Sequence, residues 1–142
     1  ATSELAYERS GPERFLETYY VLEELVRVLG PDPDVRGAEG LGRLVAQLHT
    51  LRRMSVSVAG MLHAGKEPVL EAAIVKDVGT IWEQRLPHRA RELAAFSEPE
   101  ATNQIPFDKK LAYATTIAPK LTIQGGTTEV LRGIIARGLG LR

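Results

Sequence analysis

Thr122-Ile123-Gln124-Gly125-Gly126-Thr127-Thr128-Glu129-Val130-Leu131-Arg132-Gly133-Ile134-Ile135-Ala136 sets a glycine pair and a hydroxyl-bearing helix start inside an otherwise apolar helical pattern. Gly125 and Gly126 lack a Cβ, so the backbone is free to take positive φ and to let a flat ligand approach the main chain. Thr127 stands as the N-cap of the next helix, with Thr128 and Glu129 in its first turn and Val130, Leu131, Ile134, Ile135 and Leu139 as its apolar face. Free N–H groups at a helix start, opening from a glycine turn, suit an acceptor-rich cofactor. The same residues also serve as a plain link between two helices, because glycine is common just past a helix end.

Upstream of the turn the periodicity is helical almost throughout. Phe15, Tyr19, Leu22, Val26 and Leu29 recur at steps of three and four and stop at Gly30-Pro31. Ser10-Gly11-Pro12-Glu13 has capping-box spacing with proline at the first helical position, so either a fresh helix starts at Pro12 or a longer one bends there. A second long helix carries Leu41, Leu44, Leu48, Leu51, Ser55, Val58 and Leu62 and ends at Gly65. It spans roughly 40 Å at about 1.5 Å per residue. A third starts near Pro68 and carries Leu70, Ile74, Val78, Ile81, Trp82, Arg85 and Leu93, with a kink expected at Pro87. Residues 97–107, with two prolines, read as loop; Asp108 then caps a fourth helix through Leu111, Thr115 and Ala118. No run has the period of a strand. The expected fold is all-α, an antiparallel four-helix, up-and-down bundle with short connections.

At 142 residues, with 44% apolar and 25% charged content, the chain is one domain able to bury a core of its own. Its 18 basic and 18 acidic residues cancel, so no net field draws it to nucleic acid or to an anionic membrane, and neither is expected as a partner. The absence of cysteine removes disulfides and thiolate metal sites and fits a reducing, cytoplasmic setting. No signal peptide and no apolar run of membrane-spanning length is evident. The first residue is alanine and residues 1–8 already read as helix, so the chain is expected to be part of a larger protein.

Spacing disposes of several chemistries. His49 and His63 share a helix face but lie roughly 21 Å apart, too far to hold one metal ion, and no metal site is expected. Tyr19, Tyr20 and Trp82 occupy core or core-edge positions, which favours packing over stacking on a ligand. Glu23 and Arg27, at i and i+4, read as a solvated helix pair. No nucleophile with its base, phosphate loop or zinc signature is present.

Residues 121–142, L-T-I-Q-G-G-T-T-E-V-L-R-G-I-I-A-R-G-L-G-L-R, resemble the C-terminal signature of the flavin-dependent acyl-CoA dehydrogenases. Leu5-Ala6-Tyr7-Glu8-Arg9 is similar to the L-x-x-E-R start of the first helix of that family's C-terminal domain. Residues 44–54, Ala64-Gly65-Lys66-Glu67-Pro68 and Glu71-Ala72-Ala73-Ile74-Val75-Lys76 resemble its second helix, turn and third helix. The resemblance covers nearly all of residues 1–142, as one C-terminal helical domain. It implies that an N-terminal helical domain and a middle β-barrel domain, absent from these residues, complete the flavin and substrate pocket.

The resemblance implies α,β-desaturation of an acyl-CoA thioester in fatty acid metabolism. FAD is the cofactor, a flavin electron acceptor such as an electron-transfer flavoprotein is a partner, and the assembly is a homo- or hetero-oligomer. Many members carry the catalytic carboxylate directly before the Gly-Thr of the glycine turn, where this chain has Gly125. A second group has glycine there and places the base in the L-x-x-E-R motif, which makes Glu8 the catalytic residue here. Ala6, Tyr7, Arg9, Gly125 and Gly126 then match substrate-lining positions, and Thr127, Thr128 and Glu129 match flavin-contacting ones. An α-C–H is a weak acid, so the site must also polarise the thioester carbonyl, a task that falls by position to the Gly125 N–H. Burial in a desolvated acyl pocket is expected to raise the Glu8 pKa toward the working pH. The family's arginine-aromatic-glycine motif for the flavin pyrophosphate is missing, with Val35-Arg36-Gly37 in its place, and Pro119 replaces an arginine. The isolated chain is therefore expected to be inactive. The alternative is a non-catalytic helical oligomerisation module or partner subunit of the same fold.

Overall fold

The computed structural model describes residues 2–97 and 101–141. Seven helices are found among them: α1 (Thr2–Ser10), α2 (Glu13–Leu16), α3 (Tyr19–Leu29), α4 (Val35–His63), α5 (Val69–Ala94), α6 (Ala101–Leu121) and α7 (Thr128–Gly138). Helices α3 to α6 form the antiparallel bundle, and the described residues contain no strand. Helix α5 is the hub and packs against each of the other six.

The ends of the long helices follow local chemistry. Asp34 caps α4 by accepting from the Gly37 N–H at 2.6 Å, and Gly30 and Gly65, both at φ +72°, close α3 and α4. Phe15, Leu25, Leu51, Trp82, Leu86 and Phe107 anchor the main core, each contributing about 1.5–3 kcal/mol by leaving water. A smaller cluster of Ala6, Val58, Ala72 and Val75 joins α1 to the first half of α5. Helix α2 crosses close over α5 at Gly79, where a Cβ would stand 2.3 Å from the Arg14 carbonyl oxygen.

Several expectations from the sequence are corrected. The stretch expected to be loop is helical from Ala101; residues 98–100 of it lie outside the described residues, as do Ala1 and Arg142. Pro106 sits inside α6, where it removes a single intrahelical bond, while the adjacent Phe107 is 2% exposed and fills the core. Asp108 consequently lies in the helix and accepts from Gln104 at 2.7 Å instead of capping it. The helix expected to carry Leu93 beyond Pro87 does so: α5 runs through that proline to Ala94. The helix expected from Pro12 to Leu29 is broken after Leu16, because the Thr18 N–H donates to the buried Glu83 carboxylate at 3.2 Å. Arg27 pairs with Glu24 rather than Glu23, and Lys110 shares that buried carboxylate. Tyr19, Val26, Val78, Val130 and Leu139, assigned to apolar or core-edge faces, are exposed.

Candidate functional site

Helix α6 ends at Leu121, and the glycine turn then runs with Gly125 at φ +70° and Gly126 at φ +116°. Only glycine takes these values without strain. Thr127 is extended and stands at the N-cap of α7, its carbonyl accepting from the Leu131 N–H at 2.9 Å. Its side chain caps no backbone N–H. Instead, the Glu129 backbone N–H and then the Thr127 hydroxyl hold the Glu129 carboxyl below the usual carboxylate range. Among the described residues no backbone carbonyl takes the Gly125 N–H.

Helix α1 brings its residues onto this turn. A Cβ at Gly125 would lie 3.6 Å from Glu8 Oε1, from Arg9 Cγ and from Lys76 Cε alike. Arg9 Nε donates to the Gly125 carbonyl at 2.9 Å, and Arg9 Nη2 passes 3.8 Å from where a Gly126 Cβ would stand. Arg14 ties the same region together, donating from Nε to the Glu8 carbonyl at 2.9 Å and from Nη1 to Gln124 Oε1 at 3.4 Å. Glu8, Arg9, Gly125 and Gly126 therefore meet. Ala6 instead packs into the smaller core cluster, and Tyr7 is 60% exposed. Thr127, Thr128 and Glu129 follow at the start of α7. Glu8 is exposed, so the burial expected for it is not supplied by the described residues.

Beneath the turn, α5 presents Lys76, Thr80 and Gln84 at i, i+4 and i+8 on one face. The Lys76 ammonium donates to Thr80 Oγ1 and to the Leu121 carbonyl, both at 2.6 Å. Gln84 Nε2 donates to the Ala118 carbonyl at 3.1 Å and to the Thr122 hydroxyl. Burial, and then the Arg14 charge, push the Lys76 pKa down to about 8. On the neighbouring face burial pushes Glu83 up to about 7, against the backbone hydrogen bonds it accepts from residues 17 and 18. Sequence reasoning missed Lys76, Thr80, Gln84 and Arg14 as site residues. For the three on α5 the signal was a polar line at steps of four in a helix whose adjoining residues, Ala72, Ala73 and Val75, are buried and apolar.

Two open clefts lie elsewhere. One of about 770 Å³ between α4 and α5 is basic, lined by Arg36, Arg43, Arg85, His88 and Arg89 with Trp82. The other, about 560 Å³, is apolar and lies between α2 and α4, with Leu16, Tyr19, Val45 and Val56 in its wall. No group of three or more His, Cys, Asp or Glu side chains suited to a metal ion occurs among the described residues, and no helix there is long and apolar enough to cross a membrane.

Residues 23–140 match the family model described as acyl-CoA dehydrogenase, C-terminal domain. The match takes in the glycine turn, the polar line on α5 and all of α7, and begins after Glu8, Arg9 and Arg14. No curated protein and no solved structure matches the chain.

Proposed function

The chain belongs to the acyl-CoA dehydrogenase C-terminal domain family, and from that premise we propose that it is the C-terminal helical part of a flavin-dependent acyl-CoA dehydrogenase, with Glu8 as its base. The observation that carries this reading is the meeting of Glu8 with the open side of Gly125, a carboxylate oxygen 3.6 Å from a vacant Cβ position. That is ordinary contact distance, and the positive φ of Gly125 disfavours a side chain at this position, so the carboxylate beside the turn comes from α1.

Glu8 takes the α-proton of the thioester, and the electron pair left on the α-carbon delocalises into the carbonyl. The Gly125 N–H donates to that oxygen as its charge grows, and Arg9 holds the peptide that follows, through the Gly125 carbonyl. FAD, when bound, would supply the acceptor for the β-hydride, and loss of proton and hydride would leave an α,β double bond. Thr127, Thr128 and the helical N–H groups at the start of α7 would hold the acceptor edge of a neutral flavin ring, the Thr127 hydroxyl and the Glu129 N–H giving up their bonds to the Glu129 carboxylate to do so. The ionised Glu129 makes the same position poor for a pyrophosphate. Because Glu8 is exposed, exclusion of water falls to the substrate and to the N-terminal and β-barrel domains that complete the pocket.

The test is Glu8→Gln in the complete flavoprotein. Loss of a general base lowers acyl-CoA turnover by roughly 10²- to 10⁴-fold, with the flavin absorption band intact. Retained turnover would remove Glu8 from the role. A second reading, a non-catalytic oligomerisation module, draws support from the exposed Leu16, Tyr19, Val45 and Val56 around the apolar cleft. On that reading Glu8→Gln is silent, while Val56→Asp breaks the oligomer in sedimentation.

A further inference from the structure

Lys76 is 1% exposed and among the largest fully buried side chains. Burying an ammonium is unfavourable unless its protons are matched, and a methionine of similar volume would pack the same space without that penalty. Packing therefore does not explain a lysine here. Its ammonium goes to the carbonyl of Leu121, the last residue of α6, and its stem passes 3.6 Å from the vacant Cβ position of Gly125. The ends of α3 and α4 show how this chain closes a helix otherwise. There Gly30 and Gly65, at positive φ, return N–H groups to Val26 and Leu62 carbonyls. After α6 the glycines stand four and five residues further on, in the turn itself; the Thr122 and Ile123 N–H groups return to the Pro119 and Lys120 carbonyls, Gln84 takes that of Ala118, and the last carbonyl, Leu121, is left to Lys76.

We infer that Lys76 is a positioning residue of this site. By holding the last carbonyl of α6 from below it fixes the aim of the Gly125 N–H at the thioester oxygen, and its charge favours the negative charge that develops there. Thr80 completes the arrangement by accepting from the same ammonium at 2.6 Å. Lys76 itself touches no reacting atom. This inference rests on the reading of Glu8 and Gly125 given above.

The experiment compares Lys76→Met with the parent in the complete flavoprotein, by steady-state kinetics on an acyl-CoA thioester, and in the present chain, by amide hydrogen exchange. Loss of one directly placed donor lowers kcat by about 10²- to 10³-fold, so loss of its support is expected to lower kcat on the order of 10- to 100-fold with KM little changed. The amides of residues 122–127 should exchange at least about tenfold faster while those of α5 keep their protection. An unchanged kcat, or a change confined to KM, overturns the inference. Should the parent show no acyl-CoA activity, the underlying reading fails, and amide exchange alone decides the positioning role: equal rates at residues 122–127 overturn it. Should Lys76→Met not fold, Thr80→Val, which removes the second acceptor of the ammonium together with the long 3.5 Å bond from the Thr80 hydroxyl to the Leu121 carbonyl, takes its place, with a smaller loss in kcat expected and no loss overturning the proposal.

Discussion

Gly79→Ala reverses the usual effect of that substitution in a helix. Within α5, replacing glycine by alanine should stabilise by about 1 kcal/mol through backbone entropy alone. At this position, however, the new methyl would stand 2.3 Å from the Arg14 carbonyl oxygen and 3.3 Å from its carbonyl carbon. That is about 1 Å inside ordinary contact, and the obstacle is backbone, which cannot rotate aside. Helix α2 must move off α5. Overpacking of this kind destabilises by about 1–3 kcal/mol. The shift also pulls on Arg14, whose Nε holds the Glu8 carbonyl, and weakening a hydrogen bond to a charged donor removes up to about 1.5–3 kcal/mol. Net destabilisation of about 2 kcal/mol follows, a fall in Tm of roughly 6–8 °C for a domain of this size. Thermal unfolding followed by circular dichroism measures it, with Gly42→Ala as the control. Gly42 lies in α4 with nothing within 4 Å of its Cβ position, so the same change there should raise Tm. If both variants gain stability, α2 does not sit on Gly79 as described.

Glu83, held up at about 7 by burial, binds its proton more tightly folded than unfolded, so stability falls as pH rises from the ordinary glutamate range to about 7 and then levels. Urea denaturation across that window should show the slope in the parent and a weaker one in Glu83→Gln; an equal slope assigns the proton elsewhere. Phe107→Ala should destabilise by about 3–5 kcal/mol because the ring fills the main core, and a loss below about 1 kcal/mol in chemical denaturation would return it to a loop.

The helices whose ends depend on their own residues were legible in the sequence. Leucines at steps of three and four mark α4, Gly65 marks its end, and Thr127 marks the start of α7. What was not legible depends on distant partners. The break before α3 exists because Thr18 finds Glu83, 65 positions away, and the Glu24 pairing depends on Lys110, 86 positions on. Pro106 reads as a breaker until Phe107 is seen to fill the core. The exposure of Val130 and Leu139 was hidden for the opposite reason, since an apolar stripe records what a helix is suited to bury and not whether a partner is present. At the candidate site, the glycine pair and the glutamate stand out as residue types, whereas Lys76 and Gln84 act on backbone carbonyls, which no side-chain motif records.

The hydrogen bonds from Arg9 to Gly125 and from Arg14 to Gln124 join residues 116 and 110 positions apart. Contacts of such long range repay their loop-closure entropy late in folding, after the local helices and the bundle have formed. On a ribosome, Arg9 and Arg14 must wait until residues 124 and 125 have emerged, whatever else has already collapsed. The site is therefore among the late parts of this chain to assemble, and its closure reports that helices α1 to α6 have already found their places.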